Sequence, residues 1–173
     1  MIKKQILLLL LLITILIVTS CTEKLVVYTT PTESEVNEFI TKNSINVLDI
    51  KEAYDFTIVL IDVGQNYVYY TLSKNQKNEF FINKVESGKV SKSIFIDEIP
   101  TGKTPFVNVV IYNEDILDKA KGVEITFKDG NKVTEEISGK GTILLYHNKF
   151  NEEPMPYIKL VIYDKDMKIL YQE

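Results

Sequence analysis

The chain of 173 residues has a single cysteine, Cys21, a single histidine, His147, and neither tryptophan nor arginine. One cysteine excludes an intrachain disulfide and a cysteine-built zinc centre. Zinc sites take three or four firm ligands, commonly several His or Cys, and one histidine falls short of that. The same shortage leaves a Ser-His-Asp triad no base but His147, and no nucleophile-elbow pattern accompanies it. All 20 basic residues are lysine, so no planar guanidinium is present to clamp a phosphate or carboxylate in bidentate fashion. The abundance of Lys, Ile and Asn matches the codon bias of an AT-rich genome. Catalytic, cofactor and metal residues are therefore read as none.

The charge balance narrows the partners. The formal charge is −4. If Lys3 and Lys4 are removed with an N-terminal leader, 18 lysines face 24 acidic residues, a net −6. Nucleic-acid binding depends on neutralising phosphates, so an acidic chain is a poor candidate for it. An anionic membrane surface repels the same charge, and contact with the bilayer then needs an anchor rather than electrostatics.

The N-terminus supplies a candidate anchor. Lys3 and Lys4 form a short basic region, residues 6–18 are apolar except for Thr14, and the small residues Thr19 and Ser20 lead into Cys21. This is the layout of a secretory signal. A membrane-spanning helix fits less well: thirteen residues at about 1.5 Å each cover roughly 20 Å, against a hydrocarbon core of about 30 Å. Val18-Thr19-Ser20-Cys21 resembles the lipobox of bacterial lipoproteins. The resemblance implies cleavage before Cys21 and a diacylglyceryl thioether, with palmitate-type chains, on its sulfur. Two acyl chains give stable anchoring where one gives reversible binding. The expected location is the extracytoplasmic face of a cell membrane, with the lipid bilayer as partner through Cys21. With its lysine-rich composition, the chain resembles small lipoproteins of low-GC Gram-positive bacteria.

Three divisions follow: a signal peptide over 1–21, with Cys21 retained as the mature N-terminus, a helix plus β-meander over 22–90, and a β-sandwich over 91–173. The tether from Thr22 is expected to become a strand at Leu25-Val26-Val27-Tyr28. Thr32 and Glu35 have capping-box spacing, and Val36, Phe39 and Ile40 fall on one helical face. From Ile45 the apolar period changes to two. Three antiparallel strands are expected over 54–63, 67–72 and 79–85, with Ile58-Val59-Leu60-Ile61 buried on both faces. Ser87-Gly88-Lys89 reads as a break.

Beyond it, seven short strands are expected near 93–98, 105–112, 122–128, 132–137, 142–147, 157–163 and 167–172. Asp129-Gly130-Asn131 has hairpin-turn chemistry, and Asp115 can cap one helical turn bearing Ile116 and Leu117. The fold class is thus α+β, mostly β, ending in an immunoglobulin-like sandwich. Leu160-Val161-Ile162-Tyr163-Asp164 followed by Lys168-Ile169-Leu170 is similar to the last hairpin of sandwich modules in other small bacterial lipoproteins. Met167 stands where that hairpin would carry a turn glycine.

The remaining motifs have plain readings. Gly102-Lys103-Thr104 looks like the tail of a phosphate loop, but position 97 is Asp97 and a strand follows. His147 with Glu152 and Glu153 is too few ligands for a zinc site. Asp164-Lys165-Asp166, and Asn113-Glu114-Asp115 with Asp118, lack the ligand pattern of a calcium loop and read as turns and caps. Asp97-Glu98, Glu135-Glu136 and Glu152-Glu153 are adjacent carboxylates, which point to opposite faces of a strand and read as solvated surface.

Tyr67 and Tyr69 share one strand face. They either fill a core or form an exposed contact pair for a sugar or a partner protein. The function expected is a non-enzymatic binding or interaction module at the cell envelope, whose partner is an envelope protein or a wall polymer. The alternative is an inhibitor or immunity lipoprotein acting against a secreted enzyme or toxin.

Overall fold

Residues 27–64, 66–89, 92–100, 104–146 and 154–173 are described by the computed structural model. Cys21 and the rest of the N-terminal segment lie outside these residues, as do Gly102, Lys103, His147, Glu152 and Glu153. The chain is mostly β. In order, the elements are β1 (Tyr28–Thr29), α1 (Glu33–Lys42), β2 (Val47–Glu52), β3 (Thr57–Val63), β4 (Asn66–Asn75), β5 (Phe80–Lys89), β6 (Ile94–Ile99) and β7 (Phe106–Ile111). There follow α2 (Glu114–Leu117), β8 (Gly122–Phe127), β9 (Lys132–Glu136), β10 (Gly141–Leu145), β11 (Tyr157–Tyr163) and β12 (Ile169–Gln172). All strand pairs are antiparallel.

The first sheet has β4 at its centre. β3 pairs along one edge of β4 from Asn66 to Leu72, and β5 occupies the opposite edge. β1 pairs with Lys74 and Asn75, so it continues the lane of β3 beyond Thr57. β2 closes the sheet beside β3. The sequence predicts β3, β4 and β5; of the strand expected at residues 25–28, Leu25 and Val26 lie outside the described residues and Tyr28 begins β1. β2 is an addition, and a bulge between Val47 and Asp49 puts its apolar residues out of strict alternation. Ser87-Gly88-Lys89 is not a break: the backbone there continues β5 and pairs with β4.

One face of this sheet is covered by α1. Thr32 caps the helix through the backbone N–H of Glu35, and the Glu35 carboxylate accepts from the Thr32 N–H, which satisfies two otherwise unpaired donors. Val36, Phe39 and Ile40 then pack on Val59, Ile61, Val68 and Leu72. The opposite face, with Ile58, Leu60, Tyr67 and Tyr69, packs on a second sheet of order β10-β7-β6. Apolar cover on both sides is why residues 58–61 form an unbroken hydrophobic run.

The second sheet is itself buried on both faces. Phe106, Val110, Ile143 and Leu145 meet the first sheet, while Val107, Val109, Ile111 and Leu144 meet a third sheet of order β12-β11-β8-β9. That third sheet alternates in the manner of a half-exposed strand surface, with Val123, Ile125 and Phe127 inward and Glu124 and Thr126 toward solvent. Gly141 lets β10 approach the first sheet, since a Cβ there would lie 2.9 Å from Leu60 and 3.0 Å from Leu48.

Two turns follow sequence chemistry. Gly130 takes φ +86° between β8 and β9. Met167 has φ +62°, the left-handed conformation that glycine would hold at lower cost. The cap of α2 is Asn113, whose Oδ1 accepts from the Ile116 N–H, and Asp115 lies inside the first turn instead.

Candidate functional site

Tyr67 and Tyr69 are 2% and 3% exposed, which removes them as a surface contact pair. Their strand lies between two layers, so the face they share is a sheet–sheet interface rather than solvent. Tyr67 stacks obliquely on Phe95 at 4.6 Å and Tyr69 meets Phe106 edge-on at 5.7 Å. The Tyr67 hydroxyl donates to Asp97 Oδ2 at 3.0 Å and accepts from Asn108 Nδ2. Asp97 is therefore not a solvated carboxylate: burial raises its pKa, partly opposed by the Tyr67 hydrogen bond. Glu98, on the opposite face of β6, accepts from the Tyr157 N–H. Burial and the neighbouring Asp97 charge push the Tyr67 phenol up, and Tyr69 is pushed up to about 12 by the same two causes. Both phenols stay neutral at physiological pH.

The aromatic row Phe95, Tyr67, Tyr69, Phe106 and Phe56 runs through this interface and ends at a cleft of about 370 Å³. The cleft exists because β4 and β5 outrun the second sheet. Residues 71 and 73 of β4 and residue 83 of β5 lie on the same face as Tyr69, beyond the cover of Phe106 and Ile99. Small-molecule sites are commonly about 300–1,000 Å³ and mostly apolar with a few convergent polar groups.

The lining matches that description. Tyr28, Phe56, Phe106 and Ile99 supply the apolar walls. Tyr69, Thr71, Ser73 and Asn83 bring three hydroxyls and one amide, and none of these four side chains hydrogen-bonds to another described residue. Thr104 and Asp55 are buried at its margin, and Thr104 Oγ1 accepts from the Tyr54 N–H at 3.3 Å. Among the described lining residues, Asp55 is the only charged one and none is a lysine. A second depression of about 370 Å³, between α1 and β2, carries Glu33 and Glu52 but no aromatic ring among the described residues.

The other motifs take structural roles. Strand β7 begins at Phe106, two residues after Thr104, where a phosphate loop would begin a helix. Asp164 Oδ1 accepts from the Asp166 and Lys168 N–H groups, both at 2.9 Å, and so builds the β11–β12 turn. Glu135 pairs with Lys51 at 2.8 Å across the layers. Among the described residues, no group of three His, Cys, Asp or Glu could hold a metal ion. Nor is any described helix long and apolar enough to cross a membrane.

The cleft residues Tyr28, Phe56, Thr71, Ser73 and Asn83 carry no sequence signature. Their strands are legible, but the overhang that exposes them depends on how far one sheet extends past another. Comparison of the chain with protein-family models, with curated proteins and with solved structures finds no match in any of the three.

Proposed function

We propose that the chain is a lipid-anchored binding module on the extracytoplasmic face of a cell membrane, held by Cys21 and engaging an envelope component through the cleft. The observation that carries the reading is the set of four polar side chains without a hydrogen-bond partner among the described residues, Tyr69, Thr71, Ser73 and Asn83, converging on an aromatic-walled cleft. Such groups are costly to leave unpaired when desolvated, so they suit a ligand that completes their hydrogen bonds. The lipobox-like Val18-Thr19-Ser20-Cys21 supports the anchor.

The seven strands from β6 onward read as an immunoglobulin-like sandwich. Lettered A to G in chain order, they give A-B-E facing a four-stranded sheet in which the fourth strand sits beside C. Antibody constant domains place their fourth strand beside E instead.

A photocrosslinker at Asn83 in intact cells tests the reading. An adduct with an envelope protein or wall polymer is expected, and Ser73→Trp, which fills the cleft, should abolish it. Cys21→Ala should move the chain to the medium or leave an unprocessed precursor. A processed, membrane-bound Cys21→Ala chain would overturn the anchor, and an adduct indifferent to Ser73→Trp would overturn the cleft.

A further inference from the structure

The cleft also constrains the chemistry of its occupant, on the premise that it is a binding site. Its floor is β4, whose two edges are both taken: Thr71 lies between Ile58 of β3 and Asn83 of β5, and Lys74 between Thr29 of β1 and Phe80 of β5. The backbone donors and acceptors of β4 at these positions are therefore engaged in ladders, so a ligand on the floor meets side chains, and the sheet edge left open to an extended peptide among the described strands is the outer edge of β5. Recognition falls to side chains.

Those side chains are hydroxyls and an amide, which donate and accept hydrogen bonds without charge. Among the described lining residues there is no lysine, and Asp55 is the one carboxylate. The described lining thus offers no cation to a phosphate-bearing polymer. The walls are aromatic, and the exposed Tyr28 meets Phe81 edge-on at 5.5 Å, which sets a ring beside the opening. An aromatic face carries partial negative charge and attracts the polarised C–H groups of an apolar ligand face.

We propose that the cleft binds a neutral glycan segment, a ligand with hydroxyls for Thr71, Ser73, Asn83 and Tyr69 and a C–H face for Tyr28 and Phe56. This assignment rests on the binding-module reading and names its ligand class. The hydroxyls replace the water around the four polar groups, and the aromatic walls bury the ring's C–H face. Tyr69, neutral over the physiological range, acts as a fixed donor from the buried end of the site.

The test is an NMR titration of the full-length ¹⁵N-labelled chain in detergent micelles. The probes are chitotetraose, maltotetraose and cellotetraose, with a glycerol-phosphate oligomer and an uncharged extended peptide alongside. Saturable shifts of the Tyr28, Thr71, Ser73 and Asn83 amides with at least one neutral tetrasaccharide are expected. Tyr28→Ala should raise the Kd about tenfold, and Asn83→Ala several-fold, with the rest of the amide spectrum intact. Shifts at these amides from the peptide or the phosphate oligomer alone would overturn the glycan assignment while leaving the cleft a binding site. Absence of shifts there with every probe would overturn the glycan assignment, and the Asn83 crosslink would then decide the cleft itself. Sugar shifts unaffected by Tyr28→Ala and Asn83→Ala would place binding elsewhere and overturn it too.

Discussion

The second sheet has two interfaces, and they differ in chemistry. Toward the third sheet it presents Val107, Val109, Ile111 and Leu144 to Val123, Ile125, Leu160 and Ile162, a mainly aliphatic contact with one ring pair, Phe127 and Tyr146, at its end. Toward the first sheet it presents Phe95, Phe106, Asp97 and Asn108 to Tyr67 and Tyr69, aromatic and partly polar. Asn108 is fully buried, and its Oδ1 is without a partner. Aliphatic packing is strong but tolerant of sliding, because one methyl resembles another. The hydrogen bonds that Tyr67 makes to Asp97 and Asn108 hold in one arrangement of the two sheets only. The aliphatic interface thus supplies most of the cohesion, and the aromatic one fixes how the first sheet sits and therefore where its overhang opens the cleft.

Substitutions can break this comparison. The largest effect is expected from truncating the aliphatic side: Leu160→Ala should cost about 2–5 kcal/mol in denaturant unfolding, because the fully buried side chain leaves a cavity. Tyr67→Phe should cost about 1–3 kcal/mol, since Asp97 and Asn108 lose their shared partner inside the interface. Amide shifts in that variant should spread to Thr71 and Ser73 if the network sets the overhang. Shifts confined to residues touching the lost hydroxyl would show that aromatic packing alone sets it.

The third effect depends on pH. Burial raises the folded-state pKa of Asp97 above its ordinary 3.8, so the folded chain binds this proton more tightly than the unfolded chain. Stability from this group is greatest below 3.8 and declines as pH rises through the folded value. Asp97→Asn keeps an acceptor for Tyr67 and removes the charge. Its stability relative to the parent should be more favourable at pH 7 than at pH 3.5, as read by paired thermal melts. An unchanged difference would mean that the carboxylate is solvated.

The smallest effect is expected at Lys51, which joins β2 to Glu135 of β9 across the layers. Both side chains are partly solvated, so Lys51→Ala should cost less than about 1 kcal/mol, and less still in high salt. A larger loss would make this ion pair, rather than the aromatic interface, the clamp between the regions.

Much of the fold is legible from residue pattern. The run at residues 58–61 announces a strand covered on both sides, the Thr32 and Glu35 pair announces the start of α1, and the strand alternation after residue 91 announces a sandwich surface. The site is far less legible. The Tyr67 and Tyr69 alternation is visible, but alternation assigns two residues to one face without saying what covers that face. Asp97 beside Glu98 looks like ordinary surface charge until β4 is laid over β6. Tyr28, Thr71, Ser73 and Asn83 come from three strands, and nothing local links them.

The sequence by itself determines the scarcity of thiol, imidazole and guanidinium chemistry, the acidic balance, the mostly β character and the candidate anchor at Cys21. These depend on residue identity and on periods of two or 3.6 residues, which are local properties. Only the tertiary structure decides that three sheets stack with a shared middle layer, that Tyr67 and Tyr69 are interior, and that an aromatic-walled cleft opens at the overhang. Each of these depends on the length of one sheet relative to another and on contacts between residues far apart in the chain. No local pattern encodes such distances.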